Sequence, residues 1–465
     1  MKTTELAVIG AGPGGLSAAI TAAQAGAQVT LLEEYHQPGG QFLRGAHRED
    51  VVPAKSKTEV LSRNLLEHLS SQDIEVRTGT LVWGIEGLRL ALHSGRGTEW
   101  LAAKKIIIAT GARELVMPFP GWTLPGVMTL GAAQILVKEH EVLPGKRILL
   151  AGSGPLLLAT ASALSIHDVS IHGILEATHP LSWMKYNLTV LGNLDRLGEG
   201  WHYAKSLFQK KISYRFGYAV IRAEGTDKLT GVTIARLNRH GKPIPGSEQH
   251  ISLDTLCVGF GFVPNTELTQ LAGCIHEYLP ERGGWVPLTD ETFQTSVSGV
   301  YAVGETAGVG GAKAAILQGQ IAGLAVALEL KRLNKEEFAR RYIPLNRHLQ
   351  PLKRFGSMLN TLFRPPPALK TIITDETVIC RCEQVRAGEI RQAIRRGAKT
   401  LSDLKNWLSV GQGHCQGRTC GPLLAQLVSS ETGIPASKIG YFRPRPPLKP
   451  IPLGALGNIP DEEIQ

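Results

Sequence analysis

The stretch Leu6–Gly15, which reads LAVIGAGPGG, decides the fold of this 465-residue chain. Four apolar residues lead into a turn with Gly-x-Gly-x-x-Gly spacing, and small residues then continue to Ala25. This order predicts a buried strand, a tight turn and a helix. Gly10 suits the tight turn, Gly12 lets the backbone approach a pyrophosphate, and Gly15 lets the helix pack closely on the strand.

An acidic residue completes this first fingerprint. Glu33 ends the next predicted strand, about 20 residues beyond the first glycine, where an acid accepts hydrogen bonds from ribose hydroxyls. The uncharged stretch Leu6–Leu32 is long enough to cross a membrane. Its glycines cluster at one end, however, and it divides into strand, helix and strand. We therefore favour a dinucleotide fold over a membrane span.

A second fingerprint occurs at Arg147–Leu157, which reads RILLAGSGPLL. Leu157 stands where the third glycine belongs, and a leucine prevents the close helix–strand packing that Gly or Ala allows. Glu176 is the candidate ribose acid, and we find no basic pair placed to read a 2′-phosphate. This second fold either binds NAD(P) or another nucleotide in an altered pose or is retained as a scaffold.

Composition fits an ordinary globular chain, with 43% hydrophobic and 19% charged residues. Alternating strands and helices over roughly the first 340 residues predict doubly wound α/β architecture. A net charge of +10 suits anionic cofactors or an acidic partner. No cluster of basic and aromatic residues is found, so nucleic acid is not an expected partner. Because no secretory signal and no transmembrane segment are expected, cytoplasm is the predicted location.

Four of the six cysteines lie in one short region, as Cys380, Cys382, Cys415 and Cys420. In a chain without a signal, such clustering favours metal or cluster ligation over disulfides. Thiolates from two loops can surround a compact metal centre, and nearby glycine N–H groups can donate hydrogen bonds to the sulfurs. The predicted helices of this module are Ala387–Arg396, Ser402–Trp407 and Leu423–Glu431.

The remaining cysteines, Cys257 and Cys274, are isolated and are expected to be buried small hydrophobes. Neither forms a C-x-x-C pair, and Gly39–Glu49 contains no cysteine. Without a C-x-x-C pair outside the cluster of four, thiol–disulfide exchange is not expected. Structural zinc remains an alternative for the clustered cysteines, although C-x-C is a tight spacing for a zinc knuckle.

Three further motifs resemble the FAD proteins related to glutathione and thioredoxin reductases. Ile106–Ala112 (IIIATGA) resembles the strand that closes the FAD domain, and Pro38–Gln41 (PGGQ) resembles the loop over the pyrophosphate. Gly299–Glu305 (GVYAVGE) resembles the strand whose terminal acid binds the ribityl chain, although that family usually has Asp where Glu305 stands. The resemblance implies an FAD site that contains Gly10, Gly12, Gly14, Gly15, Glu33, Gln41, Thr110, Gly111, Gly304 and Glu305.

The pattern C-x-C…C-x4-C resembles the BFD-like [2Fe-2S] domain, which implies that the four clustered cysteines hold a [2Fe-2S] cluster. The expected fold class is α/β, with two dinucleotide-binding (Rossmann-like) domains of the glutathione/thioredoxin reductase type and a small helical [2Fe-2S]-binding module. The expected division is an FAD-binding domain at 1–120 and 285–345, a second dinucleotide fold at 121–284, a Pro-rich linker at 346–373, the [2Fe-2S] domain at 374–435 and an extended tail at 436–465.

The whole chain resembles the A or alpha subunits of opine oxidases and D-hydroxyproline or proline dehydrogenases, and the B subunit of hydrogen cyanide synthase. The resemblance implies an FAD-dependent oxidoreductase that transfers electrons within a heteromeric complex acting on amines or imino acids. It also implies a second flavoprotein subunit similar to D-amino-acid or sarcosine oxidase, a small ferredoxin-like subunit and an electron acceptor, which would bring the complex to the inner membrane.

Two other functions stay open at this point. One is a self-sufficient NAD(P)H-dependent reductase that feeds electrons to the cluster. The other is an interaction or assembly protein stabilised by zinc. No side chain is identified as catalytic, since His172, His179 and His202 are lone histidines, and the sequence does not specify the substrate.

Overall fold

The structure is a computed structural model that describes residues 1–44, 57–179 and 207–457. Within these ranges the chain divides into two compact units. The first unit contains residues 1–113, 263–357 and those from 443 onward, and the second contains residues 114–262 and 358–442. Both units are therefore assembled from separate stretches of the chain.

The strands alternate with helices over the first two-thirds of the chain, as doubly wound architecture requires. The strands are β1 (Lys2–Ile9), β2 (Val29–Leu32), β3 (Ile74–Arg77), β4 (Leu81–Glu86), β5 (Arg89–Ser94), β6 (Gly97–Ile108), β7 (Ala112–Glu114), β8 (Val127–Thr129), β9 (Arg147–Gly152), β10 (Ser170–Glu176), β11 (Tyr214–Phe216), β12 (Tyr218–Glu224), β13 (Gly231–Arg236), β14 (Gln249–Ser252), β15 (Thr255–Gly259), β16 (Phe262–Pro264), β17 (His276–Leu279), β18 (Gly284–Pro287), β19 (Val300–Ala302), β20 (Val378–Cys380) and β21 (Val385–Arg386).

The α-helices in the described ranges follow the same chain order. They are α1 (Pro13–Gln24), α2 (Lys57–Ser70), α3 (Leu130–His140), α4 (Leu156–Leu164), α5 (Glu267–Leu271), α6 (Ala312–Glu329), α7 (Lys335–Leu362), α8 (Ala387–Arg395), α9 (Leu401–Leu408), α10 (Cys420–Thr432), α11 (Ala436–Ile439) and α12 (Leu453–Gly457). Among the residues that the structure describes, no helix combines the length and the apolar character needed to cross a membrane.

The first unit is built on a sheet with the order β3-β2-β1-β6-β5-β4, in which β19 also pairs with the end of β6. Strand β1 runs parallel to β2 and β6, so the turns after these strands meet at one edge. Helices α1 and α6 pack closely because both carry small residues. A Cβ added at Gly319 would lie 2.1 Å from the Gly14 carbonyl oxygen, and the Ser17 hydroxyl donates to the Ile316 carbonyl at 2.9 Å.

The second unit has a parallel sheet with the order β11-β10-β9-β15-β8 and an antiparallel sheet of β12, β13 and β14. The cysteine module belongs to the same unit and has its own core, which includes Ile390, Leu404, Leu424 and Val428. Helix α9 begins with a capping box, in which Thr400 accepts from the Asp403 N–H at 3.1 Å and the Asp403 carboxylate accepts from the Thr400 N–H at 2.9 Å.

The structure confirms the expected α/β fold class and the predicted strands that carry the motifs. The three predicted helices of the cysteine module are confirmed as α8, α9 and α10. The stretch 346–362, which we placed in a linker, is instead the second half of helix α7 despite Pro344 and Pro351. Packing explains this difference, because Leu349 and Leu352 bury apolar surface in the core of the first unit.

The C-terminal segment that we expected to be extended contains the short helices α11 and α12. Between them the chain is held along the first unit, where the Leu448 N–H donates to the Trp83 carbonyl at 2.9 Å and Lys449 pairs with Glu34. The finer division of the two units into domains stays a prediction.

Candidate functional site

The glycines of the first fingerprint turn fill different structural roles. A Cβ at Gly10, whose φ is +99°, would lie 2.4 Å from the Ala109 carbonyl oxygen, and one at Gly15 would lie 1.9 Å from the Gly10 carbonyl oxygen. Both glycines are thus required by the chain's own backbone. At Gly12, by contrast, a Cβ would meet no atom of the described residues within 4 Å.

Helix α1 begins at this turn with its first N–H groups available to a ligand. Its N-cap is Gly12, and in the described structure no side chain caps it and no acidic residue lies in its first turn. The first N–H groups of a helix have no partner inside the helix, and the helix dipole adds positive charge there. The geometry of the turn therefore suits a pyrophosphate.

Glu33 is buried beside this turn, with 6% of its surface exposed. One carboxylate oxygen accepts from the Ala11 N–H at 2.6 Å, and the other accepts from the Tyr35 N–H at 3.0 Å. Burial raises the pKa of Glu33, and these two N–H donors oppose that rise. A carboxylate has about four acceptor positions, so Glu33 keeps capacity to accept a further bond, as a ribose acid must.

The Pro38–Gln41 loop lies against the same turn, as the resemblance implies. The Gly39 N–H donates to the Ala11 carbonyl at 2.8 Å, and a Cβ at Gly40 would lie 2.8 Å from the Gly12 Cα. The Gln41 side chain is exposed. Its part in cofactor binding stays a prediction.

Hydrogen bonds connect the residues just after β6 to two other segments of the first unit. The Thr110 hydroxyl donates to the Asn265 carbonyl at 2.9 Å, and the Gly111 N–H donates to the Thr306 hydroxyl at 2.8 Å. The Asn265 side-chain amide returns a bond to the Thr110 carbonyl at 2.9 Å. Sequence reasoning missed Asn265 and Thr306, because both contact the ATG motif from more than 150 positions away.

The later motif, Gly304–Glu305, lies beside the first fingerprint. A Cβ at Gly14 would lie 3.4 Å from the Gly304 Cα, and the Gly304 N–H donates to the buried Gln318 amide oxygen at 2.8 Å. Burial raises the pKa of Glu305, and a bond from the Gly311 N–H opposes the rise. The structure thus brings the sequence-predicted FAD residues to one edge of the sheet, although their individual contacts with FAD stay predictions.

The second fingerprint turn also has a glycine at its tight position, but the contacts around this turn differ from those of the first. A Cβ at Gly152 would lie 1.8 Å from the Gly259 carbonyl oxygen, much as Gly10 meets Ala109. The Ser153 hydroxyl donates to the Phe363 carbonyl at 2.6 Å, and a Cβ at Gly154 would lie 3.8 Å from the Phe363 Cβ. The chain itself therefore covers the side of the turn that stays open at Gly12.

The acid and the helix of the second fold also differ. Glu176 is fully buried and accepts from the Gly154 N–H and from both the N–H and hydroxyl of Thr178, each at 2.9 Å. Burial raises its pKa. Helix α4 begins at Leu156, and the buried Leu157 enters the core at the position that Gly15 holds in the first fold.

The four clustered cysteines meet as two thiol pairs. Cys380 and Cys420 are buried, and the thiol of Cys420 and the Gly411 N–H help to lower the pKa of Cys380 to about 5. Cys382 and Cys415 are half-buried. Burial raises the pKa of Cys382, whereas N–H groups of Thr419 and Gly417 and the Cys382 thiol lower that of Cys415 against the effect of burial.

Four thiols from two loops, with backbone donors aimed at them, fit an iron–sulfur cluster. Within the described ranges, no group of three His, Cys, Asp or Glu side chains is already gathered as a site for a single ion. Sequence reasoning missed His414, whose Nε2 lies 3.7 Å from the Cys382 Sγ. Its only signal was its position next to Cys415.

The two isolated cysteines are buried, as expected. Cys257 is fully buried, and burial together with the nearby charge of Glu114 raises the pKa of its thiol to about 12. Cys274 is 6% exposed and donates to the Thr295 hydroxyl at 3.2 Å. Both therefore behave as core residues.

Comparison with known proteins agrees with the geometry of both sites. The pyridine nucleotide-disulphide oxidoreductase family matches residues 4–327. The chain belongs to this family. The BFD-like [2Fe-2S] binding domain matches residues 378–430, which include the four clustered cysteines. FAD and a [2Fe-2S] cluster are thus confirmed as the cofactors, and the chain is an oxidoreductase.

Several curated relatives match nearly the whole chain. The opine oxidase A subunit of Rhizobium meliloti is 31% identical over 98% of this chain and 88% of its own length. The HcnB subunit of hydrogen cyanide synthase from Pseudomonas protegens is 32% identical over 96% of both chains. The L-proline dehydrogenase structure from P. horikoshii shares the fold, with a TM-score of 0.70 and 22% identity over 98% of this chain and 79% of that one.

Proposed function

We propose that this chain is the electron-transfer component of a heteromeric dehydrogenase or oxidase that acts on CH–NH donors such as opines, D-amino acids, proline or glycine. The observation that carries the proposal is the presence of an FAD fold and a [2Fe-2S] module on one chain whose isolated cysteines are both buried. A two-electron carrier and a one-electron carrier are thus combined on a chain whose two cysteines outside the [2Fe-2S] module are buried and isolated.

Each bound group supplies a different part of the redox chemistry. FAD takes up two electrons as hydride and releases them singly, whereas a [2Fe-2S] cluster carries one electron at a time. The chain's own residues position these groups. In the first fold, Glu33 would accept bonds from the ribose, the N-terminus of α1 would bind the pyrophosphate, and that of α6 would stabilise negative charge at the pyrimidine edge.

Cys380, Cys382, Cys415 and Cys420 would hold the cluster, and the Gly411 and Gly417 N–H groups would donate to its thiolates. The names of the relatives support a heteromeric assembly, because the opine oxidase and hydrogen cyanide synthase relatives are both named as subunits. The proposed partner is a second flavoprotein that resembles D-amino-acid or sarcosine oxidase and oxidises the amine. The proposal includes a cytoplasmic location with an electron acceptor at the inner membrane.

A self-sufficient NAD(P)H-dependent reductase is the second candidate function, because the chain has a second dinucleotide fold. The contacts in that fold disfavour it. Phe363 covers the turn, four donors engage Glu176, and the buried Leu157 replaces the third glycine. The zinc alternative is set aside because the cysteine module matches a [2Fe-2S] domain.

Purification of the native complex from its host tests the proposed function. We expect a flavoprotein partner in fixed stoichiometry, and we expect substrate added to the complex to reduce the flavin of this chain. The matched control is this chain purified alone, which should not respond to the same amines. A chain that purifies alone and reduces an acceptor with NADH would contradict the proposal.

A further inference from the structure

The Phe442 side chain lies on three glycines of the cysteine module. A Cβ would lie 2.8 Å from its ring at Gly411, 2.4 Å at Gly417 and 3.2 Å at Gly421. Contacts below 3 Å leave no room for a side chain at the first two positions, so only glycine lets the ring come this close. Gly411 and Gly417 also have positive φ values, of +82° and +79°.

The same two glycines donate hydrogen bonds to the thiols. The Gly411 N–H is directed at Cys380, and the Gly417 N–H is directed at Cys415. Cys380 belongs to the buried pair with Cys420, whereas Cys415 belongs to the half-buried pair with Cys382. The ring of Phe442 therefore lies on the loop that carries Cys415 and Cys420, and it touches the two glycines whose N–H groups face thiols of both cysteine motifs.

The ring also has contacts beyond the three glycines. Phe442 packs against the core of the cysteine module, and the Lys405 ammonium lies 5.8 Å from the ring centroid. A phenylalanine held in this way leaves the glycines little freedom to rotate. Glycine is the residue whose backbone would otherwise move most easily.

We propose that Phe442 is a positioning residue that clamps the Gly411 and Gly417 amides against the cluster thiolates and so raises the reduction potential of the cluster. The proposal rests on the four-cysteine ligand set of the proposed function. Reduction adds negative charge to the cluster, and N–H···S bonds stabilise that charge, so their loss favours the oxidised form.

The test uses the full chain and follows the electron paramagnetic resonance signal of the reduced cluster during a redox titration. At the wild-type midpoint, we expect Phe442→Ala to lower the ratio of reduced to oxidised cluster about tenfold, a shift of about 59 mV to lower potential. Resonance Raman gives the second readout, because the shift of the Fe–S stretching bands in deuterated water should shrink when the N–H···S bonds are lost.

Three variants make the result specific. Phe442→Leu keeps an apolar side chain in case the alanine variant loses its cluster, and it should shift the potential in the same direction. Phe442→Tyr keeps the ring and should restore both readouts. Trp407→Ala is the matched control, because this aromatic side chain lies in the same module but is 53% exposed, and it should leave both unchanged.

The alternative is that the ring only keeps water away from the cluster. Water would stabilise the more negative reduced form, so its entry should raise the potential and leave the deuterium shift intact. That result, or an unchanged potential in both Phe442→Ala and Phe442→Leu, would overturn the proposal. A wild-type chain purified without iron would instead refute the ligand set, which keeps the two failures distinct.

Discussion

The two dinucleotide folds of this chain have similar fingerprint sequences but different contacts around the turn. Both turns need their first glycine, since a Cβ at Gly10 or Gly152 would collide with a carbonyl oxygen of a neighbouring strand end. Around Gly12 the structure leaves open space, whereas Phe363 covers the turn at Gly154. The glycine pattern thus specifies a fold, and the surrounding contacts decide whether that fold suits a nucleotide.

The two acids show the same contrast. Glu33 accepts from the N–H groups of Ala11 and Tyr35, whereas Glu176 accepts from Gly154, from both groups of Thr178 and, at 3.3 Å, from the Tyr214 hydroxyl. A carboxylate with about four acceptor positions is nearly saturated by four donors. Glu176 therefore has little acceptor capacity left for a ligand, whereas Glu33 is suited to one.

The largest expected effect is on FAD binding. It comes from replacing the third glycine of the first fingerprint with the leucine that stands at this position in the second. Gly15→Leu should abolish FAD binding, because the new Cβ would lie 1.9 Å from the Gly10 carbonyl oxygen. Flavin absorbance of the purified protein measures the loss. The counterpart Leu157→Ala should keep FAD and lower the free energy of unfolding by about 2–5 kcal/mol, since it empties a buried core position. Equal flavin content in both variants would remove the contrast.

The next effect distinguishes the two acids. Glu33→Gln should weaken FAD binding roughly tenfold to hundredfold, as expected for the loss of hydrogen bonds to a charged group worth about 1.5–3 kcal/mol. FAD titration of the apoprotein, followed by flavin fluorescence, gives the affinity. Glu176→Gln is the control and should leave that affinity unchanged while it lowers stability. A weaker affinity in both variants would mean that the second fold influences the FAD site.

The smallest expected effect is on the free energy of unfolding. It concerns the hydrogen bond that holds Phe363 at the second fingerprint turn. Ser153→Ala removes the hydroxyl that donates to the Phe363 carbonyl at 2.6 Å. We expect the free energy of unfolding in urea to fall by about 0.5–1.5 kcal/mol, and FAD content to stay the same. If Ser153→Ala left stability unchanged, the contact would not hold Phe363 at the turn.

Much of the fold was predictable because its determinants are local. The roles of Gly10 and Gly15 follow from the spacing of one strand, one turn and one helix, and the structure shows the close backbone contacts that this spacing requires. The cysteine module was predictable for the same reason, because its C-x-C and C-x4-C motifs are each local in sequence.

The other features depend on contacts that are distant in sequence. Phe363 reaches Ser153 across 210 positions, and Thr306 reaches Gly111 across 195. No local pattern marks these pairs. The sequence did not predict the second half of helix α7, because Pro344 and Pro351 are unfavourable inside a helix. Its stability comes from packing of its apolar face rather than from helix propensity.

Anaerobic mixing of the purified chain with NADH or NADPH tests the central claim most directly. If only the first fold serves a nucleotide cofactor, the flavin absorbance should stay unchanged after mixing and then bleach when dithionite is added. Rapid bleaching by NADH or NADPH, at a rate that depends on its concentration, would show that the second fold binds a pyridine nucleotide productively and would contradict the account.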